Sequence, residues 1–546
     1  MHTWDGELYL ELHRGTYTSQ AHNKRMNRRL ELEYREAEWL GTVSRVVSGS
    51  WSGFRQTDLQ EGWRIVLRNQ FHDIIPGSSI REVYEDSRVE YAEAEALGQS
   101  VWQAAQDSLS VSGTPAAGNK EGACTVYNSA SFARRELVTV PFLSNSGEAA
   151  VFVDGEGRRL PAQREEKAYA VLAGPVPAMG AVGITRMDAV SDEEEPAAFT
   201  YENDRLATPY YLLEWNRQGQ LTRIYDREAE REVLAAGAAG NLLQVFEDRP
   251  KSRHEAWDID IFYTEKMTPV TELEEVELTA SGPLYASVRF VYRYLDSRIE
   301  QTLVAYSHSR RLDFRTRVDW HESRQLLKVA FPVDIRATEA TYDIQFGNVK
   351  RPTHWNTSWD WARFETVGHQ WADLSERDYG VSLLNDCKYG YAIKDNVLQL
   401  TLIKSAKVPD ETADQGEHVF TYALYPHKGD WFEGGTAREA WALNSPLVCS
   451  AGAFPVPEGS LFRLDADHVF IDAVKKAEDS GHAVLRLHEF AGKRGPVNLG
   501  SDWGVLSYQE CDLLERPIGE PVEGAELRLT VKPYEIRTFL VRFGDR

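Results

Sequence analysis

The sequence predicts an α+β chain: an N-terminal three-helix bundle followed by mostly antiparallel β-sandwich domains. Before residue 110, apolar residues recur at helical spacing through three long stretches with short connections. Beyond residue 123 the apolar pattern changes to period two and stays there. The length, 546 residues, exceeds what one hydrophobic core can organise and implies three or four domains.

Residues 7–12, Glu-Leu-Tyr-Leu-Glu-Leu, alternate strictly and predict a half-buried strand with Leu8, Leu10 and Leu12 on one face. The first helix is expected from about residue 23 to 47, where Met26, Leu30, Tyr34, Ala37 and Leu40 share a face. The second is expected over 57–70, with Thr57 or Asp58 as cap and Trp63, Val66 and Leu67 as apolar face. The third runs over 79–109, and the short connections imply an antiparallel bundle spanning 22–110. A small-residue linker at 110–123 ends the helical region. Strands are predicted at Cys124–Tyr127, Glu136–Val140, Leu284–Tyr294, Gln301–Tyr306, Arg311–Val318 and Leu398–Ile403, with a turn at Asn216–Gly219. More than 400 residues of this kind imply stacked sandwiches: a small β-domain at 124–190, a large one at 195–455 and a terminal one at 460–546.

A net charge of −23 argues against nucleic acid or an anionic membrane as partner, because phosphate binding needs a basic face. The run Asp192–Glu195 reads as a solvated loop, since it lacks the alternating ligand spacing of a calcium loop. Cys124, Cys387, Cys449 and Cys511 are widely spaced and form no C-x-x-C pair, which suits a reducing compartment. No basic-then-apolar leader and no 18-residue apolar run is visible. The expectation is a soluble, cytoplasmic protein.

Three stretches carry candidate chemistry. His72-Asp73 stands after a helix and before Pro76-Gly77. A neutral imidazole there suits zinc, and the adjacent carboxylate suits a substrate hydroxyl. The same two residues also serve as ordinary helix-end polar groups. Glu7 and Glu11 are carboxylates of the kind glycosidases need for proton transfer, and equally of the kind that line any solvated strand. Residues 353–391 interleave Trp and Tyr with Asp, Asn and Lys, which fits a carbohydrate-contacting surface or an interface between sandwiches.

The strings His-Arg-Gly-Thr-Tyr-Thr-Ser-Gln-Ala at 13–21 and Asn-Gln-Phe-His-Asp-Ile-Ile-Pro-Gly-Ser at 69–78 resemble bacterial α-mannosidases of glycoside hydrolase family 38. So do Trp371–Glu376, Leu383–Tyr391 and Lys532–Phe539, and the resemblance runs from end to end. It implies retaining, zinc-dependent hydrolysis of α-mannoside oligosaccharides through a covalent intermediate. It places the zinc histidine on His72, substrate contacts on Asp73 and Tyr17, and the general acid on Glu11. It also implies that residues 1–21 are the last strand and loop of an α/β catalytic domain whose H-x-H-x-D string and Asp nucleophile are absent here, so that the zinc site is incomplete and the chain is inactive alone. Two other readings stay open: a non-catalytic carbohydrate-binding scaffold, and one half of a split mannosidase. The expected protein partner is accordingly a second copy or a separate N-terminal catalytic domain.

Overall fold

A computed structural model describes residues 3–4, 6–112, 122–142, 149–188 and 198–544. The run Asp192–Glu195 and most of the 110–123 linker lie outside the described residues.

Three long helices come first: α1 (Ala21–Ser48), α2 (Gln56–Asn69) and α3 (Arg81–Ser112). Their ends differ from the expected ones by at most three residues. The start of α1 is set from far along the chain. The Asp414 carboxylate accepts the backbone N–H groups of Gln20 and Ala21, both at 2.8 Å. Those donors have no partner within the helix, and an anion there also meets the positive end of its dipole. No residue near position 21 announces this cap.

Strands follow in antiparallel ladders. Each strand expected beyond residue 123 overlaps an observed one, for instance Arg311–Val318 with Leu312–Trp320 and Leu398–Ile403 within Val397–Lys404. The Asn216–Gly219 turn joins strands Tyr211–Trp215 and Leu221–Asp226. The Asn216 side chain accepts the N–H groups of Gln218 and Gln220 there.

The chain divides into two units. The first comprises residues 1–29, 66–91 and 196–444; the second comprises 30–65, 92–195 and 445–546. Each long helix therefore contributes residues to both. In the first unit a nine-stranded and a six-stranded sheet share one apolar core. Phe314 and Tyr422 of the larger sheet meet Phe331 of the smaller, with ring centroids 5.6 Å apart for Phe314 and Phe331. In the second unit, Val126, Phe152 and Ile184 of a five-stranded sheet pack with Val138 and Val171 of a three-stranded one. A second five-stranded sheet packs through Ile471, Leu485 and Phe539 on Val497 and Leu499, joined by Trp39 and Leu40 of α1. All four cysteines are free thiols. Among the described residues no helix is long and apolar enough to cross a membrane.

Residues 7–12 depart from their expectation: they lie outside every sheet. Alternation survives through residues 7–10 and stops at Glu11, which is exposed like its neighbours. Glu7 and Tyr9 turn inward, while Leu8, Leu10 and Leu12 are 82%, 54% and 57% exposed. The inward face wins because buried cations and carbonyls wait there for polar partners.

Candidate functional site

The segment from Glu7 to Gln20 is seated on the large sandwich of the first unit by polar contacts. The Glu7 carboxylate takes a two-pronged hold on Arg351, at 2.6 and 2.8 Å. Burial works to raise the Glu7 carboxyl, and Arg351 more than offsets it, so its pKa lies below the usual range. The Tyr9 hydroxyl donates to the Glu365 carbonyl, and burial pushes its own pKa up. Beneath them the Glu365 carboxylate is paired with Lys328 and accepts from Tyr263 at 2.7 Å, with Lys328 and Glu365 at most 1% exposed. A second buried pair, Lys404 with Asp248, lies under Gly15. A Cβ on Gly15 would stand 2.6 Å from Lys404 Cε and 2.9 Å from the Ala256 carbonyl, so only glycine lets the chain approach this closely.

The string at 69–78 closes on the same segment. Gly77, at φ +87°, packs directly on Ser19; a Cβ there would lie 2.5 Å from the Ser19 oxygen and 2.6 Å from its carbonyl carbon. Lys24 of α1 ties both strings together, since its ammonium donates to the carbonyls of Ser19 and Ile75. It is buried, and that burial pulls its pKa down to about 7. Gln70 donates to Asn27 at 2.9 Å. Two strings some fifty residues apart in the chain thus form one corner.

The four expected site residues sit at or near this corner in different ways. Glu11 has an exposed side chain, but its carbonyl is gripped by Arg14, which also donates to the Ala362 carbonyl at 2.8 Å. Tyr17 is half-buried in the 3-10 turn Arg14–Tyr17, and burial raises its phenol against the pull of Arg351 and Arg14. His72 and Asp73 face solvent, 77% and 48% exposed, with Nε2 3.4 Å from Oδ2. The Asp73 carbonyl accepts from Ser79 Oγ at 2.6 Å, and the Asp73 carboxylate has only long contacts, to Ser78 Oγ and His72 Nε2, both at 3.4 Å. Among the described residues no hydrogen bond or ion pair joins the Glu11 carboxylate to Tyr17, His72 or Asp73.

Sequence reasoning missed Lys24 and Asp414, which hold the corner. The one signal for Lys24 is its i, i+4 spacing with Gln20 and Arg28, all three buried. Spacing alone does not distinguish such a face from a solvated one. The aromatic stretch at 353–391 divides. Trp371, Tyr379 and Tyr391 are core residues, with Trp371 stacked on Trp431 at 4.9 Å. Trp359 and Trp361 are 58% and 47% exposed, and Trp4 stacks on Trp359 at 4.9 Å.

Zinc, which the resemblance implies, needs three or four converging protein ligands. Among the described residues no group of three His, Cys, Asp or Glu side chains converges. His72 and Asp73 offer two at most, so the residues present do not by themselves hold the ion.

A helical segment leading into antiparallel sandwiches, with this corner at its start, defines the class of architecture, and the sequence comparisons identify the family. The "Alpha mannosidase middle domain" matches residues 11–109. The "Glycosyl hydrolases family 38 C-terminal domain" matches 206–412, and its "C-terminal beta sandwich domain" matches 468–539. The chain belongs to glycosyl hydrolase family 38, of which it carries the middle and C-terminal domains. It is 34% identical to alpha-mannosidase 2C1 of Homo sapiens over 99% of this chain and 50% of that protein. It is 32% identical to alpha-mannosidase G of Dictyostelium discoideum over 99% of this chain and 53% of that one. The chain spans about half the length of the curated relatives it matches. In structure it resembles an alpha-mannosidase from Enterococcus faecalis V583, with a TM-score of 0.79 at 16% identity, covering 96% of this chain and 68% of that one. That likeness is one of fold.

Proposed function

We propose that this chain serves the hydrolysis of α-mannosides as the middle and C-terminal part of a family 38 enzyme. In this reading Glu11 protonates the departing glycosidic oxygen, a role that needs a carboxyl held by its backbone and open to substrate. Tyr17 and Asp73 contact sugar hydroxyls. His72 contributes one ligand to a zinc whose other ligands are not among the described residues; when bound, such an ion orients substrate hydroxyls and stabilises developing charge. The observation that supports the reading most is the joining of the 13–21 and 69–78 strings through Gly77 and Lys24, with His72 and Asp73 left open beside the join.

The test is turnover of 4-nitrophenyl α-mannoside, with zinc added, by this chain alone and mixed with the N-terminal half of a family member. The chain alone is expected to be inactive, and the mixture active in a way that His72→Ala abolishes. Turnover by the purified chain alone that is indifferent to His72→Ala would overturn the proposal. A second reading, carbohydrate binding without catalysis, is favoured by the exposed rings of Trp359 and Trp361. It predicts tryptophan fluorescence changes on adding mannose oligosaccharides, lost in Trp359→Ala, whether or not the N-terminal half is present.

A further inference from the structure

The first unit holds a cavity of about 250 Å³ that none of the expected site residues lines. It opens between the start of α1, the start of α3 and the strand Gly416–Lys428. Its walls carry both signs of charge, and the two signs are treated differently.

Every carboxylate in the wall is already engaged. Asp414 caps α1 through two backbone N–H groups. Asp410 accepts from the Gln20 amide at 2.8 Å and from the N–H and hydroxyl of Thr412. Glu85 is paired with Arg81 at 2.8 Å, and Glu417 is paired with Arg317, which is not part of the wall. Of the four wall cations, only Arg81 is engaged in this way. Among the described residues no carboxylate lies within ion-pair distance of Arg25, Arg88 or Lys388. Lys388 is only 4% exposed; its ammonium stands 4.2 Å over the Phe420 ring and has no hydrogen-bond acceptor among the described residues. The buried Asp386 carboxyl feels the Lys388 charge without forming an ion pair with it, so the ammonium keeps donors for an anion in the cavity.

We propose that this cavity binds the phosphate group of a small molecule, with Lys388 at its floor and the guanidinium groups of Arg25 and Arg88 at its mouth. Two guanidinium forks and one point charge suit a tetrahedral dianion, whose several oxygens accept from all three at once. The volume suits a phosphate with a remainder no larger than a sugar, since it falls just below the range of drug-sized pockets. His22, in the same wall, reports the field inside: burial, then Arg88 and Arg25, bring its pKa down to about 4. The site is independent of the mannosidase reading and is tested without any turnover.

The experiment is calorimetry and thermal melting of the full chain with inorganic phosphate and, separately, glucose 6-phosphate, against chloride at equal ionic strength. Either anion is expected to bind at millimolar concentrations or tighter and to shift the ring resonances of His22. Arg88→Gln, on the exposed side of α3, is expected to weaken binding about tenfold while leaving the ligand-free melting temperature unchanged. Lys388→Met is expected to weaken it at least as much; if that variant fails to fold, Arg25→Gln with Arg88→Gln carries the test. Much tighter binding of glucose 6-phosphate identifies an organic phosphate as the ligand class, and equal binding identifies the free anion. Absence of binding by both anions, or binding that Arg25→Gln and Arg88→Gln leave intact, overturns the proposal.

Discussion

The segment from Glu7 to Gln20 and the corner at His72-Asp73 lie against each other and treat their polar groups in opposite ways. In the first, Glu7, Tyr9, Arg14, Ser19 and Gln20 turn inward and find partners on the sandwich, down to the buried Lys328–Glu365 pair. In the second, the backbone is tied by Ser79 and Lys24, while the imidazole and carboxylate stand in solvent. Residues that hold the site are thus separable from residues that it presents. The strings that resemble the family contain both kinds, side by side and undistinguished by residue type.

The largest effect is expected on the holding side. Lys328→Met leaves the Glu365 carboxylate buried without its cation, which costs about 3–5 kcal/mol. Urea denaturation should show it, and a loss below 1 kcal/mol would mean that the Lys328–Glu365 pair does not hold the segment. Next comes Gly77→Ala. Its methyl meets the Ser19 backbone and a left-handed φ together, for a loss of about 3 kcal/mol. A melting temperature equal to wild type would show that the two strings separate without penalty.

A smaller, pH-dependent effect is expected of His22, held at a pKa of about 4 against an ordinary 6.5. The unfolded chain takes up the proton first. The stability His22 contributes is therefore complete above pH 6.5 and is lost as the pH falls toward 4. His22→Asn should flatten the stability profile across that window by on the order of 2 kcal/mol; an unchanged slope would assign the acid sensitivity to other groups. The smallest effect sharpens the comparison from the other side. His72→Ala removes an imidazole that is 77% exposed, and stability should move by no more than about 0.5 kcal/mol. A large loss would make His72 a holding residue and remove the physical basis for its proposed role.

Much of the fold was legible before any coordinates. The helical periodicity of Met26, Leu30, Tyr34 and Leu40 and the alternation through Leu312–Trp320 are local patterns, and each corresponds to an observed element. The candidate residues were legible only through family resemblance, because one histidine beside one aspartate has no local signature of function. Residues 7–12 show where local reading stops. Their alternation predicted a strand with Leu8, Leu10 and Leu12 on one face, yet they form no strand and the leucines lie outward, because the partners that decide direction, Arg351 and Glu365, stand more than 300 residues away.

What the sequence determined by itself is the order and type of the elements, since hydrophobic period and turn chemistry act over a few residues. Tertiary structure alone decided which polar residues are buried and which are presented. Asp414 caps α1 across 393 residues, Lys24 bridges two strings, and Arg25, Arg88 and Lys388 are left without carboxylate partners among the described residues around one cavity. Charge pairing depends on distance in space, and neither periodicity nor composition encodes which distant residues come within reach.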